Sequence, residues 1–359
     1  MARKRTIYQS EAIFVGPTGA TASDSTNNKQ LTRVQSANYS FEISRQDVNQ
    51  FGNLAAIDRI ILEQPTVSFD VEYYLNTGEN ESALSLSLGT DTTTSALSGI
   101  LTSTAANPKD ILNYYILTTQ EGYDANVSGW QGAGGNVRTI GIGNASLTSY
   151  SVNAAVGEIP SVSFTAEGLN MNFINGSGGT APTVTQSDGA SAGVTFALPT
   201  PVSGGGFSAL RPGDIVMSVS GLGVDLTDLK IQNSSISLDI GRDPIQKLGS
   251  KFAFAREITF PISVKMDVEA IIGDQDNSTF AGLSNYISGD SAFDVSMTLN
   301  RPGLTTRALK YTIKKAKIDS QEYSSAIGDN KTIKMSFSTQ VGGPNETTAG
   351  LFIDKANNS

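Results

Sequence analysis

The sequence predicts an all-β chain with minor α, arranged as two tandem β-sandwich or barrel domains. Each domain carries a short helix and a long inter-strand loop. Three observations lead there. Thirty-six glycines are spread over 359 residues without long helical patterns. Short segments alternate apolar and polar residues with a period of two. A long segment also recurs: Val34–Glu81 aligns without a gap onto Ile231–Ser278, with 13 of 48 positions identical.

Taken in chain order, the opening MARKRTIYQSEAIF is basic at its tip and has no apolar run behind it. It reads as a flexible or docking arm rather than a signal peptide. No segment approaches the length of a transmembrane helix. AIFVGPTG, the first strand, resembles DIVMSVSG before the second repeat. Val34–Ser44 alternates, with Tyr39, Phe41 and Ile43 on one face and Asn38, Ser40 and Glu42 on the other. Pro65–Leu75 does the same, with Val67, Phe69, Val71 and Tyr73 opposite Ser68, Asp70 and Glu72. The second repeat sets Ile236, Leu238, Ile240, Val264, Met266 and Val268 on its apolar side. Such strands have one dry and one wet face.

Between these strands lies the loop RQDVNQFGNLAAIDRIILEQ (Arg45–Gln64), copied as Arg242–Pro261. NLAAIDR is too short and poorly capped for a helix. After each strand pair a short helix is expected, capped by Asn80 or Asn277. In the first repeat TTTSALSGIL is an equal candidate. The first repeat also carries extra Thr, Ser and Gly between Asn80 and Gly157, with the lone Trp130 in a Gly-rich hairpin tip. That tip either docks on a neighbour or moves freely. Downstream, Ser149–Gly168 parallels Ser320–Gly342, pairing Gly157 with Gly328 and Ser163-Phe164 with Ser336-Phe337. Asn175–Gly206 has linker composition, with one strand at GVTFAL. The expected domains are 1–172 and 213–359, joined by a linker over 173–212.

Composition removes many chemistries. With no Cys and no His, the chain has no disulfide, zinc finger, thiol nucleophile, Ser-His-Asp triad or His-ligated metal. A formal charge of −9 is unlike a surface that grips nucleic acid. No phosphate-binding glycine motif stands between a strand and a helix. No cofactor and no metal are expected.

The run RVQSANYSFEISRQDVNQFGNLAAIDRIILEQPTVSFDVEYYL, with SLTSYSVNAAVGEIPSVSFTAEG, resembles the tail tube protein of long-tailed bacteriophages. The resemblance covers most of both halves. It implies a β-sandwich or barrel flanked by a helix, with a long loop that contacts the adjacent ring or subunit. Fused double copies of this kind imply trimeric, pseudo-hexameric rings stacked into a tube for DNA ejection. It further implies a virion protein, assembled in the host cytoplasm. Its partners would be other copies of itself, the tape measure protein, the tail terminator and distal tail proteins. Double-stranded DNA would pass without tight binding, and no membrane is involved.

Two groups of residues follow. Val48, Phe51, Leu54, Ile57 and Ile60, with Ile245, Leu248, Phe252 and Phe254, are candidate inter-ring or inter-subunit contacts. The plainer reading is that they close their own domain's core. Leu54/Lys251 and Ile60/Glu257 break the repeat, so the two loops meet different neighbours. Glu42, Asp70 and Glu72, with Asp239, Asp267 and Glu269, are candidates for an acidic lumen that repels phosphates. A solvated face, a hard-cation site and a glycosidase carboxylate pair are the alternatives. An active site has little reason to occur twice per chain. The recurring Arg45/Arg242 and Arg59/Arg256 flank the loop and can pair with carboxylates there. Surface pairs of that kind are worth little, so the arginines are expected to orient the loop. Rival functions are the tube of a contractile injection system, a secreted carbohydrate-binding two-domain β-sandwich, and a carboxylate enzyme.

Overall fold

In the computed structural model the described residues are 11–18, 27–62, 65–89, 94–103, 110–119, 121, 125, 138–175, 180–183, 191–195, 209–220, 230–249, 253, 255–272, 291–325, 330–343, 346 and 348–355. Among the described residues antiparallel strands dominate, with two short α-helices and one 3-10 turn at Pro212–Asp214. The first half contains β1 (Glu11–Pro17), β2 (Lys29–Leu31), β3 (Val34–Glu42), β4 (Arg45–Val48), β5 (Asp58–Ile61) and β6 (Thr66–Tyr74). It continues with α1 (Glu79–Ala83), β7 (Leu88–Gly89), α2 (Ser98–Leu101), β8 (Leu112–Thr118), β9 (Arg138–Ala155), β10 (Ser161–Gly168) and β11 (Asn170–Asn175). A hairpin of β12 (Thr180–Thr183) and β13 (Ser191–Thr195) follows, where the linker composition suggested a single strand. The second half contains β14 (Ile215–Ser220), β15 (Lys230–Asp239), β16 (Arg242–Ile245), β17 (Ala255–Ile258) and β18 (Ile262–Ile271). It ends with β19 (Phe293–Asn300), β20 (Arg307–Ser324), β21 (Thr332–Val341) and β22 (Gly350–Lys355).

Each half folds two sheets over a core. In the first half β3, β6, β10 and the C-terminal part of β9 form one sheet, and β2, β1, β8, β11 and the N-terminal part of β9 form the other. In the second half β15, β18, β21 and the end of β20 face a sheet of β14, β19, β22 and the start of β20. Dry faces meet between the sheets: Val67, Phe69, Val71, Ile236, Leu238, Val264, Met266 and Val268 are all buried. Phe69, Tyr114 and Phe164 cluster there with ring centroids 5.0–6.3 Å apart.

The ladders repeat in detail. In β3–β6 the register shifts between Val34 and Ser36, and in β15–β18 between Ile231 and Asn233. At each irregularity a glutamine amide donates two residues back, from Gln35 to the Arg33 carbonyl (3.0 Å) and from Gln232 to the Lys230 carbonyl (3.1 Å). β9 and β20 are each 18 residues long and turn from one sheet into the other. The bend falls on a non-glycine residue with positive φ, Asn144 (52°) and Lys315 (54°). Its N–H donates to a side-chain oxygen on the neighbouring strand, Asn113 Oδ1 or Asp294 Oδ1, at 3.0 Å in both cases. A side chain in that backbone region needs such support to be held.

Several sequence expectations shift. Phe41, expected on the dry face, is 57% exposed; among the described residues β3 has a ladder partner on one side only. Asn80 does not cap α1. Gly78 holds the N-cap position, and Asn80 lies inside the helix, exchanging two 2.9 Å hydrogen bonds with the Thr32 backbone. Both helix candidates of the first half form, as α1 and α2. By register, Phe164 corresponds to Met335 rather than Phe337, and Ala12 to Val216 rather than Asp214. These two-residue offsets keep each residue on its face. Asn277, Trp130, Phe252 and Phe254 lie outside the described residues.

Candidate assembly surfaces

The sheets of the two halves are one sheet. β9 pairs antiparallel with β15, from Ala155 opposite Asn233 to Ser149 opposite Asp239. The path β3-β6-β10-β9-β15-β18-β21-β20 therefore runs through four strands of each half. The first half also reaches across. β7 adds in parallel to β22, and the Ala96 N–H donates to the Leu351 carbonyl (2.8 Å). Part of the extra Thr/Ser/Gly segment thus covers the edge of the second half's outer sheet.

Beneath this junction lies a polar cluster that the sequence reading missed. Glu81, on α1, is 1% exposed. Its Oε1 accepts from the hydroxyls of Tyr73 (2.8 Å), Tyr150 (3.2 Å) and Tyr311 (3.4 Å), which come from β6, β9 and β20. The Tyr150 and Tyr311 hydroxyls are 2.9 Å apart. Burial pushes the Glu81 carboxyl above its ordinary value, while the tyrosine hydrogen bonds pull it down. Burial and the nearby carboxylate push all three tyrosines well above theirs. A charge taken out of water costs energy unless hydrogen bonds replace the lost hydration. Three hydroxyls from both halves on one carboxyl make the cluster a structural tie.

The long loops are two-stranded arms. β4–β5 pairs Arg45 with Ile61 through Val48 with Asp58, and β16–β17 pairs Arg242 with Ile258 through Ile245 with Ala255. Gly52 and Gly249 turn the tips at φ 90° and 85°. Phe51, Leu54 and Leu248 are fully exposed there, and Ile57, Ile60 and Ile245 largely so, while Val48 is half-buried. The exposed members do not close a core of their own. The arms extend the end of the sheet that contains Glu42, Thr66, Asp239 and Ser263.

The recurring arginines differ between the arms. In the first, Arg59 Nε lies 2.6 Å from Asp47 Oδ1, with both side chains exposed. In the second, Pro244 stands where Asp47 would be, and the arginines turn to the first half. Arg242 Nη1 meets Asp110 Oδ2 at 3.0 Å, and Arg256 Nη2 meets Glu167 Oε1 at 3.0 Å. Their side chains are 3% and 8% exposed, so the expectation of weak surface pairs fails in this arm. The Arg256 guanidinium is drawn below its ordinary value by burial, against the pull of Glu167.

All six candidate acids share the wet face of the continuous sheet. Glu42, Asp70, Glu72 and Asp239 are exposed, and Asp267 and Glu269 are half-buried. Asp70 accepts from Thr165 Oγ1 at 2.7 Å. One row across the face reads Glu72, Ser163, Ser151, Ser237, Lys265, Ser338. The face is mostly hydroxyl and amide. Lysines on it were overlooked: Lys265 and Lys334 lie on the second half's share, with Lys334 opposite both Glu269 and Glu322. Among the described residues, no group of three or more acids is gathered for a metal ion.

No protein-family model matches the chain, and no curated protein matches it by sequence. Solved structures with partial likeness include the tail of an empty gene transfer agent particle, refined helically with C6 symmetry. It shows 11% identity and a TM-score of 0.26, over 37% of this chain and 97% of that one. Another is the virion of a native gene transfer agent particle, with 13% identity and a TM-score of 0.27, over 40% and 97%.

Proposed function

We propose that this chain is a structural virion protein that builds the tail tube of a long-tailed bacteriophage. Three chains close a ring of six similar domains, and rings stack into the conduit for DNA ejection. The observation that carries this reading is the β9–β15 junction. It joins two four-stranded segments with matching ladders edge to edge, so one chain already forms two consecutive segments of a larger circular sheet. Both arms leave the same end of that sheet, as ring-to-ring contacts require. Residues 1–172 and 213–359 are the two tube domains, with 173–212 as the connector.

The wet face lines the bore in this reading. DNA carries a phosphate charge about every 1.7 Å of its axis, and a basic bore would hold it by releasing counterions. Hydroxyls and scattered acids do not. The tape measure protein and passing DNA occupy the lumen without tight binding, and the terminator and distal tail proteins cap the tube. The protein acts by assembly and has no chemistry of its own. Electron microscopy of the purified protein, with mass per ring, tests the reading. Hollow stacked rings of three chains are expected; six chains per ring overturn the three-chain ring but leave the tube, and single chains at all concentrations overturn the reading.

A further inference from the structure

The internal junction serves as a template for a contact between copies. Ser324 faces Thr332, which faces Ile271; Asn153 faces Ser161, which faces Tyr74. Tyr74 and Ile271 align in the gapless repeat, so Asn153 and Ser324 hold equivalent positions, as do Asn38 and Ser235. Within the chain Asn153 faces Ser235. Among the described residues, β3 has a ladder partner on one side only, and so does the end of β20 beyond Lys317.

Burial separates the closed junction from the open edges. Val152, Ile236, Tyr150 and Leu238, on the dry side of the closed junction, are all 0% exposed. Their equivalents at the open edges include Tyr323, 47% exposed, and Phe41, 57% exposed. These are core positions without their cover, beside an edge whose backbone groups lack a strand partner.

We propose that Ser320–Ser324 of one copy pairs antiparallel with β3 of a second copy. Ser324 lies opposite Asn38, Tyr323 opposite Tyr39, Glu322 opposite Ser40, Gln321 opposite Phe41 and Ser320 opposite Glu42. This rests on the tube reading above and specifies the seam within it. A one-residue slip would set the dry face of one edge against the wet face of the other, with Tyr323 opposite Ser40 and Glu322 opposite Phe41. A two-residue slip in one direction would set Glu322 against Glu42, and like charges directly opposite repel. The Tyr323 and Tyr39 rings take the place that Val152 and Ile236 hold in the closed junction.

The chain has no cysteine, so cross-linking reads the seam without background. Full-length protein carrying Asn38→Cys and Ser324→Cys is oxidised and run denatured without reductant. The internal control carries Asn153→Cys and Ser235→Cys, and facing strand residues lie within disulfide reach. The control should cross-link within single chains. The seam pair should give covalent species of two and three chains, and Asn38→Cys with Glu322→Cys should give far less. Visible rings with a cross-linked control but an unlinked seam pair overturn the seam and leave the tube reading standing. Preferential linking of the Glu322→Cys pair does the same. A ladder ending at six chains supports the seam and overturns the three-chain ring. A control that cross-links in protein that never leaves the single-chain state overturns both.

Discussion

The two arms share a sequence pattern and a backbone, and they differ in what lies beside them. The second arm rests on the first half of its own chain, where Arg242 and Arg256 find Asp110 and Glu167. The first arm is exposed, and among the described residues Arg59 settles on Asp47 across its own strands. The same arginine is thus a buried anchor in one copy and half of an exposed surface pair in the other. Position relative to a neighbouring half decides which, and sequence alone does not report it.

The comparison breaks most visibly at the anchors. Arg242→Ala leaves Asp110 facing an emptied, partly buried site, and removing one partner of a buried pair costs about 3–5 kcal/mol. Asp110 keeps some solvent access, so about 3 kcal/mol is expected. Arg45→Ala, the equivalent change in the free arm, should stay within about 0.5 kcal/mol. Urea unfolding of both variants measures the difference. Equal effects would mean that the second arm is no better anchored than the first.

Next in size is the tie beneath the junction. Glu81→Ala strands three buried hydroxyls, and each unsatisfied buried group costs about 1–3 kcal/mol. Tyr150 and Tyr311 still have each other, so a total of about 2–3 kcal/mol is expected. The pH dependence has a definite sign. The folded carboxyl is raised above its reference value of 4.5. It therefore favours the folded state below that value, and the benefit is lost as pH rises through the folded value. Glu81→Gln should flatten thermal stability over this window. A wild-type profile that climbs there instead would refute the assignment.

How much of this was legible in the sequence depended on range. Period-two alternation located β3, β6, β15 and β18, because each has a face packed on the core. Gly52 and Gly249 marked the arm tips, since a positive φ there favours glycine. Phe41 misled, because alternation shows which face a residue takes and says nothing about whether that face is covered. Glu81 carries no sign of its burial in the local sequence, because its three tyrosine partners come from β6, β9 and β20. The Asn113–Asn144 contact and its counterpart Asp294–Lys315 use different residue types in the two halves, so no identity betrayed their equivalence. Lys265 and Lys334 stand where the first half has Ser68 and Ser163, so the repeat gave no sign of them.

The arm tips come next, with little effect on folding and a large one on assembly. Phe51 is fully exposed, so Phe51→Asp should change single-chain stability by no more than about 0.5 kcal/mol. Burying such a side chain between rings is worth roughly 1.5–3 kcal/mol per copy. Sedimentation should show folded material that no longer forms long tubes, and normal tubes would exclude the tip from stacking. The wet face offers a subtler contrast between halves. Replacing Asp70 and Glu72 by Lys makes the purely acidic half resemble the lysine-bearing one. DNA release from particles should slow at low salt and recover at higher salt, as screening shortens to about 8 Å near physiological ionic strength. Release unchanged at every salt concentration would remove this face from the bore.

The smallest effect tests the comparison of arms directly, by giving the free arm what the anchored arm has. Thr165 faces Ser149 as Ser336 faces Ser320, so Glu167 of the first half corresponds to Ser338 of the second. Arg59 corresponds to Arg256. Across the proposed seam, Arg59 of one copy would therefore approach a serine where Arg256 finds a carboxylate. Ser338→Glu should supply that carboxylate. Lys265 and Lys317 flank position 338 in the neighbouring strands and would compete for the new charge. Arg59 must also leave Asp47. An exposed pair under such competition is worth about 0.2–1 kcal/mol. The gain should appear as a small rise in the temperature at which rings dissociate, larger at low salt, with no change in single-chain unfolding. Ser338→Gln should give none of it, and Arg59→Gln in the Ser338→Glu background should erase it. A gain that survives Arg59→Gln would show that the new carboxylate serves the lysines of its own half, and that the first arm does not meet the second half as the second arm meets the first.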